Sequence, residues 1–490
     1  MFIFGREFMR RFMKKIVRVL VALACLSILW GCGSSDSDDP AAAGFLQVVN
    51  GVEDSPALEI MIKLDDDDDE GDEINFKNVG FQNATPKLEL AYDKYVISIS
   101  YEDPESGDHE VLVTEAEFQV LSNIIHTVVI SGGFSNPDLI FIENPDDVFD
   151  DDDEQIELQV VNLSDASTTV YLSEPDLGLN SGTIVGTVTT GSSTDAVLLD
   201  EADEDIYRLR ITPDGSETVV FDSGEFDLPN LSRNLIVVNN SVGPDSDSVA
   251  VMLVDNSGVD YAFSNEVAKS GLRIVNLIAD ADLANVDIVN SSTSENVDSV
   301  VLGFSDITEF IAVEPSFINI SLAAIANSAV DPLASTASLN DDTYYTVVVG
   351  GSALVDINDG DEDEIGLDIR TITTEVRSIA TGASVQFVNG LRMTTIDDFD
   401  RVDLYALELG DGIGDTAPLV SQVPFLDGAN VTLPARAFDL VVTTAGTQTI
   451  LAGPIRLSIE GNTALLIAVT EGVGGGTPNR IVLQSSDLAQ

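Results

Sequence analysis

Leu46-Gln47-Val48-Val49-Asn50 recurs as Leu158-Gln159-Val160-Val161-Asn162, Leu272-Arg273-Ile274-Val275-Asn276 and Val385-Gln386-Phe387-Val388-Asn389. The closing asparagines Asn50, Asn162, Asn276 and Asn389 lie 112, 114 and 113 residues apart. One signature at so constant a spacing means four copies of one domain. Units of this length bury a core without help from a metal or a disulfide.

Each copy continues with a second short run rich in β-branched residues: Leu58–Ile62, Thr169–Leu172, Val286–Val289 and Val402–Tyr405. A middle run follows at Tyr95–Ile99, Tyr207–Ile211, Phe317–Ile320 and Phe438–Val442, and a late one at His126–Ile130, Leu235–Val238, Thr346–Val349 and Leu465–Val469. Alternating Val, Ile and Tyr over four to eight residues predicts strands. Asp103-Pro-Glu-Ser-Gly107, Pro213-Asp-Gly215 and Ala445-Gly446 follow three of the middle runs and predict hairpin turns. Gly474-Gly-Gly476 reads as a loop between two late strands, and no long 3.6-residue period competes anywhere in the repeats. The expectation is all-β: four tandem immunoglobulin-like β-sandwich domains, with strand order open, joined end to end in an elongated rod.

The order of these motifs resembles an envelope family known as domain of unknown function 4397. Repeat 3 carries the resemblance best, through Arg273-Ile-Val-Asn276, Asn285-Val-Asp-Ile288, Leu302-Gly-Phe304 and Tyr344-Tyr-Thr-Val-Val-Val-Gly350. Repeat 1 keeps Val79-Gly-Phe81, repeat 4 keeps Val402-Asp-Leu-Tyr405, and repeat 2 is the most diverged. The resemblance implies a β fold and a cell-surface setting, and brings no chemistry with it.

The formal charge of −62 coexists with 44% hydrophobic residues, so apolar residues and acid must be segregated into elements and connections. The first 31 residues hold six of the 22 Lys and Arg and one of the 84 Asp and Glu, leaving 16 bases against 83 acids beyond them. That surface repels nucleic acid. Arg6, Arg10, Arg11, Lys14, Lys15 and Arg18 precede the apolar run Val19–Trp30, too short for a bilayer span of about 20 residues. It fits a signal peptide. Leu29-Trp-Gly-Cys32 resembles a bacterial lipobox, with Trp30 standing where small residues are usual. The resemblance implies acylation of Cys32, palmitate included, and Gly33 beside it favours the outer membrane. Met13-Lys-Lys is an alternative start, and Cys25 would leave with the signal.

The reading divides the chain into a signal peptide at 1–31, a lipidated cysteine and flexible tether at 32–44, repeats at 45–145, 156–262, 271–376 and 383–488, and an acidic linker at 146–155. The recurring asparagines read as strand ends that turn the chain, not as ligands, since one asparagine per domain makes no site. Acid runs occur at Asp65–Glu70, at Asp146-Asp147 with Asp150–Glu154, and at Asp356–Glu364. In the last, Asp356, Asn358, Asp359, Asp361 and Asp363 form the candidate calcium set, because oxygen-only ligands suit Ca²⁺. Gly360 falls one place early for an EF-hand, and the competing reading is a solvated acidic loop.

His109 and His126 are the two histidines, and neither recurs between repeats, so no triad or His-based metal site is expected. Nucleophile-elbow, phosphate-loop and zincin motifs are missing from the sequence. The expectation is a non-catalytic, lipid-anchored module of the bacterial outer membrane, structural, adhesive or interactive, with no cofactor beyond weak Ca²⁺ and with an envelope protein or glycan as partner. The alternative is a lipoprotein that captures a glycan or nutrient; a hydrolase is a remote third reading. Replacing Cys32 with Ser should abolish incorporation of labelled palmitate and release the protein from the membrane fraction. Labelling retained in that variant would overturn the lipobox reading.

Overall fold

The computed structural model describes residues 43–487, except 66–72, 105, 147, 150–154, 201–204, 246–247, 282, 325–331, 355–365 and 393–400. Cys32 and the candidate calcium set Asp356, Asn358, Asp359, Asp361 and Asp363 lie outside the described residues.

Every repeat is a two-sheet sandwich. In repeat 1 one sheet holds the opening strand Ala43–Asn50 between the seventh strand Ile124–Gly133 and a fourth strand broken into Asn83–Ala84 and Leu88–Ala91. The eighth strand, Asn136–Pro145, forms its far edge. The other sheet runs in the order third (Ile74–Val79), second (Leu58–Leu64), fifth (Lys94–Glu102) and sixth (His109–Gln119). The opening strand pairs parallel with the seventh and antiparallel with the fourth. The same order recurs around Gln155–Asn162 and Thr168–Ser173, Ser270–Asn276 and Leu283–Asn290, and Gly382–Gly390 and Arg401–Leu407. Repeat 2 adds a ninth strand, Gly258–Ala262, beside its eighth, Val249–Asp255.

The signature strand explains itself by its alternation. Leu46 and Val48 face the sandwich interior with Ile60, Ile97 and Val128. Successive side chains point to opposite faces, so Val49 points away from that core. It is buried nonetheless, against Val129 and Ile142 of its own sheet and Val161, Val237, Met252 and Val254 of repeat 2. The outer faces of the two sheets thus form a second apolar layer, and repeats 3 and 4 do the same through Val275, Leu277, Val348, Val388, Leu426, Leu466 and Ala468. Close approach in that layer needs small residues: a Cβ on Gly390 would meet Leu277 Cδ1 at 2.5 Å, and one on Gly350 would meet Leu426 Cδ2 at 2.5 Å.

This corrects the expected end-to-end rod. Tandem domains string out when their outer sheet faces are polar; here those faces are apolar and are buried only by stacking. The stacked pairs also touch one another. Tyr344 Oη of repeat 3 donates to the Gly243 carbonyl at 3.0 Å. Arg377, between repeats 3 and 4, donates to the Glu53 and Ser55 carbonyls of repeat 1, and Ala380 N–H donates to Asp54 O at 2.8 Å.

The residue just before or at the entry of each seventh strand has positive φ: Asn123 (57°), Leu231 (59°), Asp342 (50°) and Asn462 (58°). Asn and Asp tolerate this left-handed conformation, whereas a leucine there costs about 1–2 kcal/mol. Leu231 is 41% exposed and contributes little to any core. Leu231→Asn should therefore stabilise the chain by about 1 kcal/mol, read as a rise in the denaturant midpoint of repeat 2. An unchanged or lowered midpoint would contradict this account of the turn.

Candidate functional site

The four asparagines are placed alike, and all are fully buried. In repeat 1, Asn50 Oδ1 accepts the Val52 N–H at 3.0 Å, which makes the expected turn. Its amide does something the sequence did not announce: Nδ2 donates to Val79 O, at the end of the third strand in the opposite sheet, at 3.0 Å. Asn162 donates to Val188 O at 3.2 Å, Asn276 to Leu302 O at 3.1 Å and Gly303 O at 2.9 Å, and Asn389 to Val423 O at 3.0 Å. Their Oδ1 atoms accept from Ser164, Ile278 and Leu391 N–H. Each asparagine therefore turns the chain and staples one sheet to the other. The backbone carbonyls of the same residues accept N–H groups from Gln82, Gly191, Ser305 and Leu426, all at positive φ.

A second recurring polar device went unread in the sequence. Thr85, Thr194 and Thr308 sit where the fourth strand breaks, and their hydroxyls accept the Val48, Val160 and Ile274 N–H groups at 2.9–3.1 Å. In repeat 4 the fourth strand Gly428–Pro434 pairs without a break, so no such plug is required.

At the variable second position of the signature, polar side chains serve the seams. Gln47 Nε2 donates to Asp255 O at 2.5 Å and Asn144 Nδ2 to Gln159 Oε1 at 2.6 Å, joining repeats 1 and 2. Arg273 Nη2 donates to Gln386 Oε1 at 2.8 Å, and its guanidinium lies 4.5 Å from the Phe310 ring centre. Burial lowers the Arg273 pKa to about 10, which leaves it charged at neutral pH. Between repeats 1 and 2, Gln47, Glu157, Gln159, Arg233 and Asn144 line a small cavity of about 20 Å³, the size of one water.

Both histidines are engaged within repeat 1. His109 Nδ1 lies 3.1 Å from Glu59 Oε2, which also faces Lys77. His126 is buried, and its Nε2 accepts the Leu121 N–H at 3.0 Å. Burial lowers its pKa, against the opposing pull of Glu143, so the neutral ring is favoured. Asp403, also buried, accepts the Gln422 and Gly446 N–H groups at 2.7 Å and thereby holds a bulge and a hairpin turn together. Among the described residues no group of three His, Cys, Asp or Glu is placed to hold a metal ion. Asp65 and Asp146 are the described members of the first two acid runs, and Asp146 Oδ1 lies 3.0 Å from Lys87 Nζ.

The outward-looking feature is the side opening of repeat 1, between its sixth and eighth strands, each an edge of its own sheet. Phe118 on the sixth strand lies opposite Tyr95, with ring centres 5.9 Å apart, and Phe141 on the eighth lies 6.4 Å from Phe118. Phe141 pairs with the core residue Val128, so its ring points between the sheets, yet 44% of it is exposed. The opening therefore presents aromatic side chains along two strand edges.

No curated protein matches the chain. Among solved structures, the TIE protein of Bacillus anthracis is 10% identical over 93% of this chain and 78% of that one, with a TM-score of 0.17. A proposed cell adhesion protein from Bacteroides eggerthii is 11% identical over 46% of this chain and 98% of its own, with a TM-score of 0.14. A streptococcal ancillary pilin is 9% identical over 61% and 96%, with a TM-score of 0.12. Scores this low carry no argument about role.

The asparagine staples give a direct test. Asn276→Ala leaves the Ile278 N–H and the Leu302 and Gly303 carbonyls without their partner, and unmet buried groups cost about 1–3 kcal/mol each. A loss of about 3 kcal/mol in denaturant unfolding is expected, with Asn276→Asp recovering only the turn. Wild-type stability in Asn276→Ala would refute the staple.

The signature strand, its asparagine and the sandwich built on them lie within the stretch that matches a family model: residues 44–173, all of repeat 1 and the first strands of repeat 2, match the family described as Domain of unknown function (DUF4397).

Proposed function

We propose that this chain is a non-catalytic module of the cell envelope, lipid-anchored at the outer membrane, which holds an interaction surface in a fixed place. The observation that carries this reading is the stacking of repeats through apolar sheet faces, repeat 1 on 2 and repeat 3 on 4. Burying such layers at roughly 25 cal/mol per Å² makes relative movement within a pair costly. What remains outside are loops and strand edges, the places where rigid scaffolds present recognition groups. The buried ionic and amide groups described above hold backbone or bridge repeats, which is structural employment.

The capture reading has its footholds in open clefts. One in repeat 2 has room for about 450 Å³ and is lined by Leu172, Glu174, Leu177, Leu198, Asp200 and Tyr207, and one in repeat 4 has room for about 470 Å³ beside Asp403, Tyr405, Ile413 and Gln448. Either volume suits a small ligand. Weak Ca²⁺ association at the acid runs belongs to the same proposal, because divalent ions would bridge an anionic chain to an anionic membrane surface.

The experiment is removal of the gene followed by complementation, scored for attachment of cells to surfaces and to one another in 1 mM Ca²⁺ and in chelator. Loss of attachment, restored by the wild-type chain, supports the module reading. Unaltered attachment together with a lost growth yield on one carbon source would replace it with capture.

A further inference from the structure

Repeat 2 shows what the side opening of a sandwich receives when it is filled. Its ninth strand, Gly258–Ala262, folds back antiparallel on the eighth and lays Tyr261 opposite the core residue Leu253. Phe263 continues the line through its N–H to Val251 O at 3.1 Å. The two rings stack 5.4 Å apart and meet Phe226 edge-on at 5.7 and 4.8 Å. Phe226 is paired with Tyr207 as Phe118 is paired with Tyr95 in repeat 1. Leu253 and Val251 hold the places of Phe141 and Leu139, since Val254 and Ile142 pair with Leu235 and Thr127 at matching points of the seventh strands.

Repeat 1 has the same aromatic lip but no ninth strand among the described residues, and its eighth strand is the edge of its sheet. We infer that this edge takes a β-strand from a partner polypeptide, added antiparallel to Asn136–Pro145, with aromatic side chains seated against Phe118 and Phe141. Strand addition supplies backbone hydrogen bonds for affinity, and alternate side chains supply specificity. The charge around the edge defines the occupant further. Glu117 on the sixth strand and Asp138 and Glu143 on the eighth are exposed, while Glu115 beside them is paired with Lys63 at 2.8 Å. A segment that alternates aromatic with Lys or Arg matches this rim. A second copy of the same edge would bring an equally acidic rim against this one, and like charges brought together across a strand pair destabilise it. Pro137 and Pro145 lack N–H groups and bracket the edge, so the docking segment is short, between those two positions.

The inference rests on the interaction-module reading and names its partner class. Its test uses the purified chain and a fluorescently labelled peptide copied from Ser257–Asn265, with lysine in place of Asp260 and Asn265. Saturable binding is expected, weakened on the order of ten-fold by Phe141→Ser and by raised salt. Phe141 is partly exposed, so this variant should keep the wild-type melting temperature, which is measured alongside. Absence of saturable binding, equal binding of a scrambled peptide, or binding indifferent to Phe141→Ser would overturn the inference. So would a concentration-dependent dimer abolished by Phe141→Ser without peptide binding, which would make the occupant a second copy. Cell attachment unaffected by Phe141→Ser would sink this inference alone, whereas loss of attachment on gene removal tests the broader reading.

Discussion

The constraint on which the rest depends is that the opening strand of each repeat is buried on both faces. Leu46 and Val48 look into one apolar layer and Val49 into another, and the seventh strand beside it is buried in the same way. A sheet in that position has no face left for water. A repeat standing alone would expose Val49, Val129 and Ile142 together, an apolar patch of the kind that drives association. Stacking on the neighbouring repeat removes it. The four domains are therefore two double sandwiches before they are a series, and the pairing follows from single alternating positions in a five-residue signature.

Two-faced burial raises the cost of every polar group caught inside. The strand must still end, its ladder must still be completed, and the asparagine resolves both needs by taking one N–H from its own turn and giving its amide to the opposite sheet. The threonine hydroxyls at Thr85, Thr194 and Thr308 answer the broken fourth strand in the same currency of backbone groups. Where the second layer needs polarity, one long side chain serves. From Gln386 through Arg273, Phe310 and Tyr344 to the Gly243 carbonyl, contacts run unbroken from repeat 4 across repeat 3 to repeat 2. Burial and the nearby Asp342 push the Tyr344 hydroxyl up to about 12, which keeps it a neutral donor in that relay.

How much of this could be read from the sequence follows the same physics. The four strands legible in each copy, the opening, second, fifth and seventh, are the central strands of their sheets. They are paired on both sides and rich in β-branched residues, so composition betrays them. The third, fourth and sixth strands are edges, as is the eighth except in repeat 2, and stretches such as His109–Gln119, with Glu110, Glu115 and Glu117, read as connection until pairing is seen. The stacking of repeats was also present in the sequence, in the consecutive pair Val48-Val49 and the run Thr127–Ile130: an exposed outer face would have alternated apolar with polar. The chain passing from Arg377 to repeat 1 left no periodic signal, because it rests on one side chain and backbone carbonyls. The aromatic opening was invisible for the opposite reason, since Phe118 and Phe141 belong to two edge strands of different sheets.

The distribution of the few cations bears on why recognition is proposed at the rim. Lys87, Arg233, Arg273, Arg377 and Arg392 lie at or beside seams, bound to Asp146, Glu157, Gln386, the Glu53 carbonyl and the Asp280–Glu471 pair. Desolvation lowers the pKa of both Arg273 and Arg377, and each is held by hydrogen bonds and an aromatic face, Phe310 and Phe81. With so much of the basic complement committed internally, the charge offered outward is overwhelmingly carboxylate. Such a surface selects against anionic partners at a distance and leaves close-range choice to apolar groups at uncovered edges. Charge and edge chemistry are therefore both met by the partner inferred above, a cationic chain with aromatic residues to bury, and in that inference the scaffold's part is to hold the edge still enough to be recognised.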